Sequence, residues 1–266
     1  MSYITANGLQ IWCERKGEGE PLLFISGSGG DLRNKPNALD GPLVKQFDMV
    51  AYDQRGLGQT DKPDGPYSMA DYADDAAGLL DELDWATANV VGVSFGGMVA
   101  QELAIRYPDR VRKLVLCCTS PGGAGGASYP LHSLIGMDPL AEALQMIPIS
   151  DTRHDTAWQA ANPDAYRFML DLRTTDPWAG EPRRAMGAEL QLLARKDLDT
   201  WDRLPSITAP TLICGGLYDG IALPETQPRM AEQIPGAQLR LFEGGHMFLI
   251  QDRAAFPAIT EFLQQP

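Results

Sequence analysis

One stretch restricts the fold more than any other. Asn89-Val90-Val91 is a β-branched run, Met98 to Tyr107 reads as a helix, and Gly92-Val93-Ser94-Phe95-Gly96 lies between them. This is the G-x-S-x-G spelling of a nucleophile elbow, a sharp strand-to-helix turn that lifts a serine clear of the sheet. Glycines flank the serine for a steric reason: strand and helix close around the turn, and positions without a Cβ let them do so. Spelling alone discriminates little, since a shuffled chain with 27 glycines supplies about 0.1 matches. The surrounding elements carry the rest.

Before the elbow, Tyr3 to Ala6 and Leu9 to Arg15 flank Asn7-Gly8. That dipeptide suits a type I′ hairpin turn, in which both central residues take positive φ. Short apolar runs follow at Pro21 to Ile25 and Asp48 to Tyr52, and the stretch Met69 to Asp84 has helical spacing, with Leu79, Leu80 and Leu83 on one face. Further strands are expected at Lys113 to Thr119, Thr211 to Gly215 and Gln238 to Phe242, and a closing helix from about Arg253 to Gln264. Short apolar strands alternating with helices indicate an α/β architecture, a mostly parallel sheet covered on both faces. The alternation is interrupted between Pro121 and about Leu204. That segment offers no convincing strand but has stretches rich in Ala, Leu, Met and Trp, so it reads as a helical insertion. The expected organisation is a core of residues 1–120 and 205–266 with a helical cap of residues 121–204.

The bulk properties exclude several classes. With 35 acidic against 22 basic residues the net charge is −13, and nucleic acids and anionic membranes both require a basic footprint. No apolar run of membrane-spanning length occurs, and Met-Ser-Tyr-Ile-Thr lacks the basic and apolar regions of a secretory leader. Cys13, Cys117, Cys118 and Cys214 all sit in or beside apolar stretches, without a Cys-x-x-Cys pair or a histidine cluster. They read as buried thiols in a reducing, cytoplasmic setting, with no metal and no cofactor.

A serine hydroxyl needs a base to become a nucleophile, and the base needs an acid to hold its tautomer. Of the three histidines, His132 and His154 fall in the insertion. His246 directly follows the last expected strand, and Asp219 follows the one before it. Loops after parallel strands gather at one carboxyl edge, the edge that carries the elbow. Asp197, Asp199 and Asp202 precede their strand and so should not reach it. The candidate relay is therefore Ser94, His246 and Asp219. Two oxyanion donors are expected from backbone N–H groups: Phe95, next to the serine, and Ser28 in the loop Ser26-Gly27-Ser28-Gly29-Gly30, with Gly27 or Gly29 as alternatives.

These residues resemble the α/β-hydrolase superfamily over nearly the whole chain, and within it the small-lid carboxylesterases, enol-lactonases and carbon–carbon bond hydrolases. The resemblance implies an α/β-hydrolase fold with an eight-stranded sheet and a helical cap inserted after strand six. Where the family commonly has His-Gly, this chain has Ser26-Gly27. Asp53 and Arg55, in Asp53-x-Arg55-Gly56-x-Gly58, match a structural family loop, where an internal ion pair is expected. Relatives with aspartate at the elbow form alkyl-enzyme esters; serine points instead to acyl-enzyme chemistry on carboxylic esters. The same triad also serves lactone and carbon–carbon bond cleavage, and some relatives sense ligands with little turnover.

Trp158, Trp178 and Met247, with Phe168, Met169 and Met186, are the candidates for an apolar substrate pocket. Arg183-Arg184 and Arg195-Lys196 read as solvated helix faces. The expected partner is a small ester or lactone, with the protein acting as a monomer or homodimer.

Overall fold

The computed structural model describes residues 1–265. Strands β1 (Ser2–Ala6) and β2 (Leu9–Lys16) form an antiparallel hairpin through Asn7 at φ 47° and Gly8 at φ 75°, the two positive angles that a type I′ turn demands. The sheet continues through β3 (Glu20–Ile25), β4 (Phe47–Tyr52), β5 (Ala88–Val93), β6 (Val111–Cys117), β7 (Thr211–Gly216) and β8 (Gln238–Phe242). Its eight strands lie in the order β1-β2-β4-β3-β5-β6-β7-β8. Only β1 against β2 and β2 against β4 run antiparallel; every other pairing is parallel.

Parallel strands buried on both faces put successive side chains into two separate cores. Leu23, Ile25, Val50, Val90, Leu114, Leu116 and Ile213 face one layer, which contains α1 (Met69–Glu82) and α2 (Phe95–Arg106). Their neighbours Leu22, Phe24, Met49, Val91, Val115 and Leu212 face the other. Helix α1 starts where Ser68 and Asp71 cap each other, and it turns Leu79 and Leu80 fully into the first core.

Between β6 and β7 the chain forms helices α3 (Pro139–Ser150), α4 (Thr156–Ala161), α5 (Pro163–Thr174) and α6 (Arg184–Ala194) and adds no strand to the sheet. Helix α7 (Thr226–Gln233) links β7 to β8 on the first face. The short α8 (Phe248–Gln251) and α9 (Ala255–Gln264) follow, and α9 covers the second face with Ile259, Phe262 and Leu263. No helix among the described residues is long and apolar enough to cross a membrane.

The crossing of β5 into α2 is packed backbone against backbone. A Cβ on Gly96 would stand 2.0 Å from the Ile25 carbonyl oxygen, and one on Gly92 would stand 2.4 Å from that of Gly96. Both contacts are with backbone, so no rotamer change relieves them. Helix α2 accordingly starts at Phe95, three residues earlier than its apolar spacing indicates, because the turn ends at Ser94 itself.

The expected Asp53–Arg55 ion pair does not form. Asp53 instead accepts backbone N–H bonds from Leu32 at 2.7 Å and Gln59 at 2.9 Å, and burial pushes its carboxyl pKa up to about 6. Arg55 turns to α1 and donates two bonds to Asp75, from Nε to Oδ2 at 2.6 Å and from Nη2 to Oδ1 at 2.7 Å. The Asp75 carboxylate is 1% exposed, and Asn7 Nδ2 gives it a third bond at 2.8 Å. A fork matched to a carboxylate outcompetes a neighbour two residues away, whose oxygens the backbone already holds.

Two stability predictions follow from this packing. Asp75→Leu strands a buried guanidinium and should cost about 3–5 kcal/mol in urea unfolding. Combining it with Arg55→Met removes both charges and should cost less than the single change. At the elbow, Gly96→Ala should destabilise by at least about 3 kcal/mol or abolish soluble expression. Gly8→Ala, with nothing within 4 Å of the added Cβ but φ at +75°, should cost only about 1–2 kcal/mol.

Candidate active site

Ser94 sits at φ 54° and ψ −115°, a backbone conformation that non-glycine residues rarely adopt. Its N–H donates to Cys117 O at 2.8 Å, and its carbonyl accepts from Gly97 N at 2.9 Å and Met98 N at 3.3 Å. Sheet and helix thus hold the turn from both sides. The side chain is left pointing out of the sheet's carboxyl edge.

Ser94 Oγ lies 2.9 Å from His246 Nε2, and His246 Nδ1 lies 2.8 Å from Asp219 Oδ2. The second Asp219 oxygen accepts backbone N–H bonds from Ile221 at 2.7 Å and Ala222 at 3.0 Å. Asp219 is 1% exposed, so these bonds replace its hydration and fix its direction. A carboxylate on Nδ1 favours the tautomer with the proton there, which leaves Nε2 free to accept from the serine hydroxyl. His246 is further anchored by its backbone N–H, which donates to Ser150 O of α3 at 2.6 Å. Three residues from three separate loops, 152 positions apart at the extremes, therefore meet at one point.

Near Ser94 the backbone offers amides with no protein acceptor among the described residues. The Phe95 N–H is one, as expected for the first residue of α2. The Gly29 N–H is not available, because it donates to Gln191 Oε1 of α6 at 2.9 Å. Gly30 N–H closes a turn onto Gly27 O at 3.3 Å. Ser28 remains, along with Gly27, whose Cα lies close enough to Ser94 that an added Cβ would stand 3.4 Å from the serine Cβ. Ser26, at the position where a histidine is common, accepts from Gln54 Nε2 through its carbonyl at 2.8 Å. The polarity of the loop is thus supplied by a side chain from the β4 end.

Ser94 opens into a cavity of about 550 Å³. Its floor holds Gly27, Ser28, Ser94 and His246. Its roof and walls are Leu131, Leu134, Met137, Met146, Gln191, Leu192, Ile221 and Met247, with Glu142, Glu189 and Arg173 as the charged members. Of the expected pocket residues, only Met247 lines it. Trp158 packs over the His154 ring at 4.2 Å between centroids. Trp178 lies under the Arg33 guanidinium at 4.0 Å and donates from Nε1 to Asn34 Oδ1 at 3.2 Å. Both indoles spend their faces on charged or aromatic neighbours outside the cavity, and composition gave no means to foresee that.

The solvated-face reading also fails for two arginines. Arg184 donates to Asp31 at 2.8 Å and to Asp176 at 2.6 Å, while Arg195 is buried. His132 lies in the turn Leu131–Leu134 and does not line the cavity over Ser94, and His154 stacks as described. Gln191 and Arg173 are the site residues that sequence reasoning missed. Each comes from an insertion helix whose partner lies more than 20 positions away, so no local spacing marks it.

A family model described as the α/β hydrolase fold matches residues 20–253. The chain is 31% identical to a poly(3-hydroxyalkanoate) depolymerase of Ectopseudomonas oleovorans, over 92% of this chain and 84% of that protein. It is also 31% identical to a 2-hydroxymuconate semialdehyde hydrolase of Pseudomonas putida, over 97% and 92% respectively. Among solved structures it resembles the enol-lactonase of Burkholderia xenovorans LB400, with a TM-score of 0.81 and 26% identity over 99% of this chain and 100% of that one. With the eight-stranded sheet and the geometry at Ser94 in place, these matches establish that the chain belongs to the α/β hydrolase-fold family, as an enzyme of the hydrolase type.

Proposed function

We propose that the protein is a serine hydrolase that cleaves carboxylic esters of small hydrophobic substrates through an acyl-enzyme on Ser94. The observation that supports this best is the run of contacts Ser94 Oγ–His246 Nε2–Nδ1–Asp219, opening into a cavity walled largely by apolar side chains. In this reading His246 Nε2 takes the serine proton as Oγ bonds to the substrate carbonyl carbon. The Phe95 and Ser28 N–H groups hold the resulting oxyanion. His246 then gives the proton to the alcohol oxygen as the carbon–oxygen bond breaks. Water repeats the cycle, and the acid leaves. Residues 121–204 act as the cap that shapes the acyl or alcohol pocket, and the buried thiols fit a reducing compartment.

A second reading, lactone or carbon–carbon bond hydrolysis by the same triad, draws support from Arg173. This guanidinium lines the cavity, and Nη2 donates to Ser150 Oγ at 2.7 Å. It is the cation placed to meet a substrate carboxylate; Arg183, Arg184 and Arg195 do not line the cavity.

Wild type should turn over p-nitrophenyl acetate and butyrate, and Ser94→Ala should reduce kcat by about 10⁴-fold or more with the fold intact by circular dichroism. Activity retained in Ser94→Ala would overturn the nucleophile assignment. Arg173→Met separates the two substrate readings. For neutral esters kcat/KM should stay within about threefold. A preferred substrate bearing a carboxylate should lose about 10- to 100-fold, the scale of a charged hydrogen bond.

A further inference from the structure

Arg195, at the end of α6, is a buried cation with an unpartnered nitrogen, whereas buried Lys113 spends its ammonium on the carbonyls of Phe262, Leu263 and Gln265. Arg195 is 6% exposed, yet among the described residues it forms no ion pair. Nη2 donates to Ser128 Oγ and, at 3.4 Å, to Tyr129 O, while Nη1 is buried without a protein partner. Ser120 Oγ is also buried and without a partner. Both residues line one cavity of about 80 Å³, whose other walls include Met98, Ser128, His132 and Lys196. Three of its lining residues are basic and none is acidic; Asp197 and Asp199, close by in sequence, do not line it. Burial without a compensating carboxylate draws the Arg195 pKa down to about 10, the sign of a cation whose surroundings supply no counter-charge.

We propose that this cavity binds a small monovalent inorganic anion, of halide or nitrate size, between Arg195 and the Ser120 hydroxyl. The anion would accept from the unpartnered Nη1 and from Ser120 Oγ–H, which satisfies two buried donors at once. The size fits: 80 Å³ takes one such ion with a water or two and is far too small for the ligands that the 550 Å³ cavity admits. The location gives the site a consequence. Ser120 and Pro121 follow β6, and the chain comes back beside them on its way to β7 at Thr200, whose N–H donates to Pro121 O at 2.8 Å. Arg195 and Ser120 thus belong to the two ends of the helical insertion. Tyr129, beside the guanidinium, donates its N–H to Ile221 O at 2.8 Å and packs against Leu134, Met146 and Ile221, which wall the cavity over Ser94. A bound anion ties the root of the insertion and stiffens that wall.

The test is thermal unfolding in sodium gluconate buffer, with gluconate replaced by chloride, bromide or nitrate at constant ionic strength. Wild type should show a saturable rise in Tm of about 3 °C at tenfold the Kd for the small anions. Arg195→Met should abolish the rise, and Ser120→Ala should raise the half-saturating concentration about fivefold. Coincident curves in gluconate and halide would mean that water alone fills the cavity and would overturn the proposal, as would a wild-type rise retained in Arg195→Met. Should Arg195→Met fail to fold, Ser120→Ala and bromide-soaked crystals decide. An anomalous peak beside Nη1 supports the site, and none at a bromide concentration that saturates the Tm response sinks it.

Discussion

The close approach of Gly96 to the end of β3 is the constraint on which the site depends. With only hydrogen where a Cβ would lie 2.0 Å from the Ile25 carbonyl, α2 can begin directly against the sheet. Ser94 then has no room for ordinary backbone angles and takes φ 54°. Such a conformation costs on the order of 1–3 kcal/mol and persists only where its surroundings fix it. Here they do: both polar backbone groups of Ser94 are bonded, and Phe95, fully buried, sets its ring edge-on to Tyr72 of α1 at 4.9 Å between centroids. The strain is offset by sheet, helix and core together, so the serine's position is as rigid as the fold.

That rigidity explains which parts of the molecule could be read from sequence. Central parallel strands are continuous apolar runs because both faces are buried, and β3 to β7 are recognisable on that ground alone. Asp219 and His246 were legible through topology, since loops after parallel strands share an edge whatever their separation in the chain. The extent of α2 was misread by three residues because a steric device, rather than periodicity, starts the helix. Charge partners were not legible at all. Arg55 stands two positions from Asp53 and bonds to Asp75, twenty positions on, because the choice depends on which carboxylate presents both oxygens to the fork. The tryptophans failed for a related reason: an indole in an irregular helical segment is apolar by composition, but its face goes to whichever neighbour the tertiary fold supplies.

The roof over Ser94 is held by polar contacts as well as by the small apolar cluster of Leu134, Met146 and Ile221. Asp31, almost wholly buried, takes bonds from Arg33 and Arg184, and those arginines reach on to Glu181 and Asp176. Burial by itself would raise the Asp31 carboxyl, but the two guanidiniums outweigh it and hold its pKa below the usual range. The sign follows: this carboxylate stabilises the fold above its unfolded pKa, and that contribution is lost as acidification protonates it. Helix α6 is therefore held to the β3 loop partly by charge at neutral pH, and that part of its hold weakens in acid.

The clamp bears on chemistry because of where it grips. Asp31 follows directly on Ser26 to Gly30, the loop that carries Ser28, and Gln191 of the same α6 that begins at Arg184 accepts from Gly29 N–H. One helix thus contacts the loop at two points, one ionic and one an amide hydrogen bond. Any outward movement of α6 that widened the cavity would pull on the backbone beside Ser28 and free the Gly29 amide. With α6 seated, the Gly29 N–H is committed, and Ser28 and Gly27 are the loop amides left without a partner among the described residues. The geometry ties the seating of α6 to which loop amides are left without a partner.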